Sequence, residues 1–197
     1  MNIILGSSSP RRKYLLQQMF NTITIIHPDV EEIPHPHEKP LQFVQRASSD
    51  KLNNIRTKIF TNPSLVITCD TIVTIDNEIL GKPADFDHAY YMLSTLSGRT
   101  HHVISSIRLL YNNKNDIRDH NDYEMTQVTF KKLNDGDITA YLSQIDYKDK
   151  AGAYAVQEHG SMIIAKIDGS LTNVIGFPLR CFFRMIADMD IIQKLFQ

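Results

Sequence analysis

The chain has 197 residues, of which 42% are hydrophobic and 22% charged, and its formal net charge at pH 7 is −1. This composition predicts an ordinary soluble globular protein of one large domain or two small ones. The near-zero charge excludes a general attraction to nucleic acid, so any phosphate binding requires a local site. No apolar run approaches the ~20 residues of a membrane span. The two cysteines, Cys69 and Cys181, are far apart, so we expect a reduced, cytoplasmic protein.

Strand-like and helix-like stretches alternate along the chain, which predicts an α/β fold. In the N-terminal half, the residue pattern predicts strands at 3–5, 22–26 and 65–67 and helices at 10–19 and 40–56. A proline-rich loop is predicted at 27–39 and a hairpin over 71–80. In the C-terminal half, the pattern predicts helices at 85–96, at 135–143 and from Pro178. It predicts strands at 100–111 and 123–131, joined by a polar turn, and at 154–157 and 162–167. The long hairpin and the helix after it could form a second lobe.

The first candidate site is the loop between the first strand and the first helix. Ser9 suits the N-cap and Pro10 the first helical position. The free N–H groups of that helix end, with small Ser side chains and the guanidiniums of Arg11 and Arg12 beside them, form an anion pocket that suits a polyphosphate. The alternative is an ordinary capped helix, since the sequence matches neither of the common phosphate-loop motifs.

Further charged residues stand where strands end or loops begin. Asp70 follows a buried strand, Glu31 and Glu32 lie in the proline-rich loop, Lys51 is on the second helix, and Lys82 lies in Gly81-Lys82-Pro83. Carboxylates such as Asp70 and Glu32 suit Mg²⁺ or Mn²⁺, and lysines would neutralise phosphate charge. For each residue taken alone a structural role is the more common one, Asp70 as a turn residue and the others as solvated charges. His101 and His102 point to opposite faces of a strand, so no zinc site is predicted.

Taken together, these segments resemble the Maf family of nucleoside triphosphate pyrophosphatases, a group once described as septum-formation inhibitors. The likeness runs nearly from end to end and rests on seven blocks in order. They are SSSPRR at 7–12, VEE at 30–32 followed by FVQRASSDK at 43–51, CDTIV at 69–73, GKP at 81–83, LSGRTH at 96–101, KAGAYAVQ at 150–157 and IDGSLTNVIGFPL at 167–179.

The resemblance implies an ITPase-like α/β fold of the Maf and Ham1 type. That fold is a mixed twisted β-sheet flanked by helices, in a single domain over 1–197 with a cleft between two lobes. By position, Asp70 aligns with the catalytic proton acceptor, and Glu32, Lys51 and Lys82 align with other charged active-site residues. Ser7 and Arg12 would contribute to substrate binding. The family also implies a divalent metal cofactor and a homodimer. From the chemistry of the carboxylates, we expect Asp70 and Glu32 to hold the metal, Mg²⁺ or Mn²⁺.

Three positions separate the subfamilies. Members that act on dTTP and UTP carry Arg, Thr and Gln where members that act on 7-methyl-GTP tend to carry Trp, Gln and Glu. Here the residues are Arg11, Thr71 and Gln157, so the chain resembles the dTTP/UTP type. A glutamine amide both donates and accepts, which suits the O4/N3–H edge of uracil or thymine.

The sequence leaves several questions open. Arg11 could contact either phosphate or the base, and the rival enzyme is a purine-selective pyrophosphatase. The family's E-P-x-D-K block reads DYKDK at 146–150, which puts the geometry of that loop in doubt. An ordinary aspartate, with a pKa of about 3.9, is a weak base, so a proton acceptor here needs either a raised pKa or a metal-activated water. The alternative function is a nucleotide-binding regulator of cell division that acts by contact without turnover. The charged set around Asp70 favours an enzyme.

Overall fold

The computed structural model of the protein describes residues 1–59, 63–114 and 116–196. Its strands are β1 (Asn2–Gly6), β2 (Thr24–Ile25), β3 (Ser64–Ile75), β4 (Glu78–Leu80), β5 (Thr100–Asn113), β6 (Asp116–Phe130) and β7 (Ile164–Asp168). Its helices are α1 (Pro10–Gln17), α2 (Pro40–Ile55), α3 (Phe86–Leu96), α4 (Asp135–Leu142), α5 (Leu171–Ile175), α6 (Leu179–Asp188) and α7 (Ile192–Leu195). No described helix is long and apolar enough to cross a membrane.

The strands form one seven-stranded sheet in the order β2-β1-β3-β5-β6-β7, with β4 paired to β3. The pairs β1–β2 and β1–β3 are parallel, whereas β3–β4 and β6–β7 are antiparallel. The sheet is therefore mixed, and the predicted mixed α/β fold is confirmed. The cleft and the single-domain organisation stay predictions.

The chain divides into two compact units. The first unit comprises residues 1–70, 105–124 and 176–197, and the second comprises residues 71–104 and 125–175. In the first unit, Leu52 and Ile55 of α2 pack with Ile4 of β1 and Val66 of β3 in an apolar cluster. In the second unit, a larger cluster joins apolar residues of β3, α3, α4 and β6. Each unit therefore has its own buried apolar residues.

Local signals account for most element boundaries. The Ser9 side chain accepts a hydrogen bond from the Arg12 N–H at 3.5 Å, so it caps α1 ahead of Pro10 as predicted. The turn predicted at Asp76-Asn77 is confirmed: both residues adopt positive φ, 52° and 66°. That conformation suits the short polar side chains of Asp and Asn and matches the twist of a two-residue hairpin.

Two predicted elements are wrong. The polar stretch 112–122, predicted as a turn, belongs largely to β5 and β6, although residue 115 lies outside the described residues. Strand pairing and ion pairs hold it, such as the one that Arg108 Nε makes with Asp119 Oδ1 at 2.8 Å. The strand predicted at 154–157 is absent from the described residues. A 3₁₀ turn at Ala151–Ala153 precedes it, in which Gly152 and Ala153 adopt positive φ. Tyr154 and Ala155 lie outside regular secondary structure, and Val156 and Gln157 already belong to the next turn, so too few extended residues remain for a strand.

Candidate active site

The parallel pairing of β1 with β3 places the start of the serine loop beside the middle of β3. Asp70, predicted from the sequence to follow a strand, lies inside β3, because β3 continues to Ile75. Gly6, the last residue of β1, pairs with Thr68, two residues before Asp70. A Cβ on Gly6 would lie 2.5 Å from Ile55 Cδ1 and 2.6 Å from Thr68 Cγ2, so any larger residue would have to displace these two side chains. The serine loop that follows β1 therefore starts beside the part of β3 that carries Asp70.

Lys51 joins the two predicted carboxylates. Its Nζ lies 2.6 Å from Asp70 Oδ1 and 2.9 Å from Glu32 Oε1. The side chains of Lys51 and Asp70 are only 6% and 5% exposed, whereas that of Glu32 is 38% exposed. The first unit thus brings together three of the four predicted charged active-site residues, in an arrangement that runs from a buried ion pair to solvent.

Helix α2 is fixed against β3 close to this ion pair. The Thr68 hydroxyl donates to the Ser48 carbonyl at 2.8 Å, and the Ser48 and Ser106 hydroxyls lie 3.0 Å apart. Because Lys51 follows Ser48 by nearly one helical turn, these bonds fix the point from which its side chain reaches Asp70. No sequence signal indicated these roles of Ser48 and Ser106, since buried hydroxyls follow no pattern in a single sequence.

The same helix anchors the loop that carries Glu32. Asn54 exchanges two hydrogen bonds with the backbone of Asp29, at 3.0 and 2.8 Å. Arg46 donates to the Ile33 carbonyl at 2.9 Å and, through two nitrogens, to both carboxylate oxygens of Glu38 at 2.8 Å. These hydrogen bonds lower the pKa of Glu38 to about 2. The loop is therefore held on both sides of Glu32. No motif in the sequence indicated this role for Arg46 and Asn54.

Arg12 holds the serine loop in place. Its Nε donates to the Gly176 carbonyl at 2.9 Å, and its Nη1 donates to Ser7 Oγ at 3.2 Å. Ser7 Oγ also accepts from the Ser9 N–H at 3.1 Å. Arg12 and Ser7 are buried, whereas Arg11 is half-buried. In this structure Arg12 orders the loop, and phosphate contacts by Ser7, Arg11 and Arg12 remain predictions.

The second unit contains Thr71, Lys82 and Gln157. Thr71 follows Asp70 on β3 and is half-buried, while Lys82 and Gln157 are exposed. The Gly152 N–H donates to the Gly81 carbonyl at 3.0 Å. The loop that carries Lys82 is therefore hydrogen-bonded to the segment that leads to Gln157.

The oxygen donors of the first unit suit a hard divalent cation. No group of three or more His, Cys, Asp or Glu residues in the described part of the chain could hold a metal by itself. Asp70 and Glu32 supply carboxylate oxygens that converge on one ammonium group, and Mg²⁺ in nucleotide enzymes uses one or two carboxylates together with substrate phosphates. The residues present therefore fit a cation that arrives with a nucleotide.

Comparison with known proteins shows the family to which the chain belongs. The family model described as Maf-like protein matches residues 2–189. The chain is 36% identical to a dTTP/UTP pyrophosphatase of Carboxydothermus hydrogenoformans, over 95% of this chain and 98% of that protein. It is 40% identical to the protein of the same name from Clostridioides difficile, over 91% and 90% of the two chains. The chain belongs to the Maf family, as the motifs in its sequence predicted.

Among solved structures, the Ham1 protein of Staphylococcus aureus overlaps with 96% of this chain and 98% of its own. The identity is 11% and the TM-score is 0.45, which is too weak to support the fold independently. The fold rests instead on the strand order and pairing described above.

Proposed function

We propose that this protein hydrolyses dTTP and UTP between the α- and β-phosphates, and releases the nucleoside monophosphate and pyrophosphate. The observation that carries the proposal is the placement of Lys51 between Asp70 and Glu32. That arrangement occurs in a chain whose full-length relatives are named dTTP/UTP pyrophosphatases. The activity would remove unwanted pyrimidine triphosphates from the nucleotide pool.

Positively charged groups of the first unit favour the binding of a triphosphate. Two carboxylates would repel a triphosphate, but the Lys51 ammonium neutralises part of their charge. The N–H groups at the start of α1 and the guanidinium of Arg11 bind phosphate oxygens. Lys82 adds a cation that offsets charge developing on the phosphates in the transition state.

Asp70 acts as the proton acceptor. Its carboxylate takes the proton of the attacking water while Lys51 keeps it oriented through the 2.6 Å hydrogen bond. Asp70 and Glu32 would also hold the Mg²⁺ or Mn²⁺ ion. When bound, a divalent cation supplies Lewis-acid stabilisation of the phosphate charge and lowers the pKa of water.

Gln157 and Thr71, both in the second unit, select the base. The exposed amide of Gln157 can donate to O4 and accept from N3–H of uracil or thymine. Cytosine presents an amino group and an unprotonated N3 at the same edge, so the pairing fails unless the amide flips. The location we propose is the cytoplasm, where thiols stay reduced, since neither Cys69 nor Cys181 forms a disulfide within the described residues. The homodimer stays a prediction.

A panel of nucleotides tests the proposal. Pyrophosphate release is measured from dTTP, UTP, CTP, GTP and 7-methyl-GTP, with Mg²⁺ or Mn²⁺ present. We expect release from dTTP and UTP well above the other three. Release from 7-methyl-GTP instead would overturn the assignment to pyrimidines. Nucleotide binding without release from any of the five would favour the alternative function, a regulator of cell division that acts by contact.

A further inference from the structure

The backbone that leads to Gln157 is held by a tyrosine hydroxyl from another helix. The hydroxyl of Tyr141, on α4, donates to the Ala155 carbonyl at 3.2 Å and accepts from the Ala155 N–H at 3.0 Å. Tyr141 is fully buried. One side chain thus satisfies both backbone groups of a residue that lies outside regular secondary structure and two positions before Gln157.

A second buried pair holds the neighbouring residue. The Tyr154 hydroxyl lies 2.8 Å from His101 Nε2, and the rings of both pack edge-on against Phe130. Burial lowers the pKa of His101 to about 3 and raises the pKa of Tyr154 above its usual range. Both side chains are therefore neutral at physiological pH, and they join this segment to the start of β5.

The segment from Gly152 to Gln157 needs these hydrogen bonds because part of its backbone has an unfavourable conformation. Gly152 and Ala153 have φ of 68° and 61°, and for Ala153 this left-handed conformation has a steric cost. A strained, irregular backbone keeps one conformation only where its surroundings fix it. Here the fixing groups are the Gly152–Gly81 backbone bond and the hydroxyls of Tyr141 and Tyr154.

We propose that Tyr141 and the His101–Tyr154 pair are positioning residues that set the base selectivity of the site by fixing Gln157. The inference rests on the proposed role of Gln157 as the residue that reads the base. An amide discriminates between uracil and cytosine only where its donor and acceptor are held in register with the base edge. A segment free to move would let the amide accept either base.

The test measures equilibrium binding rather than turnover, so it does not depend on hydrolysis. In the Asp70→Asn background, Kd for UTP and for CTP is measured by calorimetry with and without Tyr141→Phe. We expect the preference for UTP to fall roughly three- to tenfold, the range that one or two lost hydrogen bonds provide. The matched control is Tyr90→Phe. The Tyr90 hydroxyl lies in the same unit but donates to Asp135 at 2.7 Å, so its removal leaves the bonds to Ala155 in place.

A purely structural role of Tyr141 would give a different result. Tyr141→Phe would then lower Tm and weaken both nucleotides equally, with an unchanged UTP-to-CTP ratio, and that outcome would overturn the inference. Tyr154→Phe provides a second variant should Tyr141→Phe fail to fold, with the same expected fall in preference. Amide hydrogen exchange over residues 153–157 gives an independent readout: we expect faster exchange in Tyr141→Phe, and unchanged exchange would also contradict the inference.

The outcome separates this inference from the proposed function. A protein that releases no pyrophosphate from UTP or dTTP contradicts the proposed function, whatever the binding ratio. A protein that releases pyrophosphate, but whose UTP preference survives Tyr141→Phe, contradicts only the positioning role. Gln157→Ala is the reference variant, since it should lose at least as much preference as Tyr141→Phe.

Discussion

Lys51 Nζ donates to Asp70 Oδ1 at 2.6 Å, and both side chains are almost completely buried. Burying two charges is costly, and a buried ion pair offers no more stability than apolar side chains of the same size. An arrangement of this kind is therefore better explained by function than by stability. Glu32, at 2.9 Å from the same ammonium, connects the buried pair to solvent.

Lys51→Met should leave the Asp70 carboxylate buried without its partner. Breaking a buried pair from one side costs about 3 kcal/mol or more of the free energy of unfolding. Urea unfolding measures this loss, and pyrophosphate release should fall to background. In the double variant Lys51→Met/Asp70→Asn, most of the lost stability should return, because no charge is then left uncompensated. Strictly additive losses would show that the two side chains are not coupled.

Arg46→Gln should reduce activity by releasing the loop that carries Glu32. Arg46 bonds to the Ile33 carbonyl, directly after Glu32, and to Glu38. Because a small displacement of a functional group lowers the rate steeply, kcat/KM for UTP should fall about tenfold or more. The free energy of unfolding should also fall, by about 1–3 kcal/mol, because the bidentate pair with Glu38 is lost.

Arg56→Gln is the matched control for Arg46→Gln, since Arg56 is exposed just beyond the end of α2. It should leave both measurements unchanged. Equal kcat/KM for the Arg46 variant and its control would show that Glu32 does not depend on this anchor.

Gly152→Ala should be destabilising. The φ of Gly152 is 68°, and a Cβ would lie 3.0 Å from Val73 Cγ1. Left-handed strain and this contact together should cost about 1–3 kcal/mol of the free energy of unfolding. The control is Gly81→Ala, where an added Cβ meets no atom within 4 Å. Similar stability of the two variants would contradict the tight packing of Gly152 on β3.

Stability should fall with acid through His101. Its folded pKa is lowered from 6.5 to about 3 by burial, so the unfolded chain binds a proton below pH 6.5 that the folded protein does not. The stability contribution is therefore complete above pH 6.5 and is lost progressively down to about pH 3. Between pH 7.5 and pH 5 the loss should be about 2 kcal/mol.

The measurement is urea unfolding at those two pH values. His101→Gln should remove this part of the pH dependence, whereas His102→Gln, at the half-buried neighbouring position, should retain it. An identical pH dependence in wild type and His101→Gln would show that another group is responsible.

Elements that depend on neighbouring residues could be predicted from the sequence, whereas a segment held by contacts with distant residues could not. Ser9, Pro10 and the Asp76-Asn77 turn act on their own neighbourhood, so their effects could be inferred from the sequence. The segment 154–157 was predicted as a strand because its residue types suit one, yet hydrogen bonds from Tyr141 and His101 fix it otherwise. Such contacts depend on the tertiary structure.

The candidate site shows the same division. Asp70, Glu32 and Lys51 were predicted from family motifs, and the structure brings the three together. Arg12 was predicted as a phosphate ligand, but its bond to the Gly176 carbonyl joins residues 164 positions apart, and no sequence pattern indicates it. Arg46 and Asn54 were missed for a similar reason, because their partners are backbone atoms of an irregular loop.

The most direct test of the account is pyrophosphate release from UTP by wild type and Asp70→Asn, with UTP binding measured for both. The amide of asparagine retains the shape of the carboxylate and an oxygen that can accept from Lys51, but it cannot accept the proton of an attacking water. We predict release by the wild type, loss of release in Asp70→Asn, and UTP binding by both proteins. Near-normal release by Asp70→Asn would contradict the catalytic role of this aspartate.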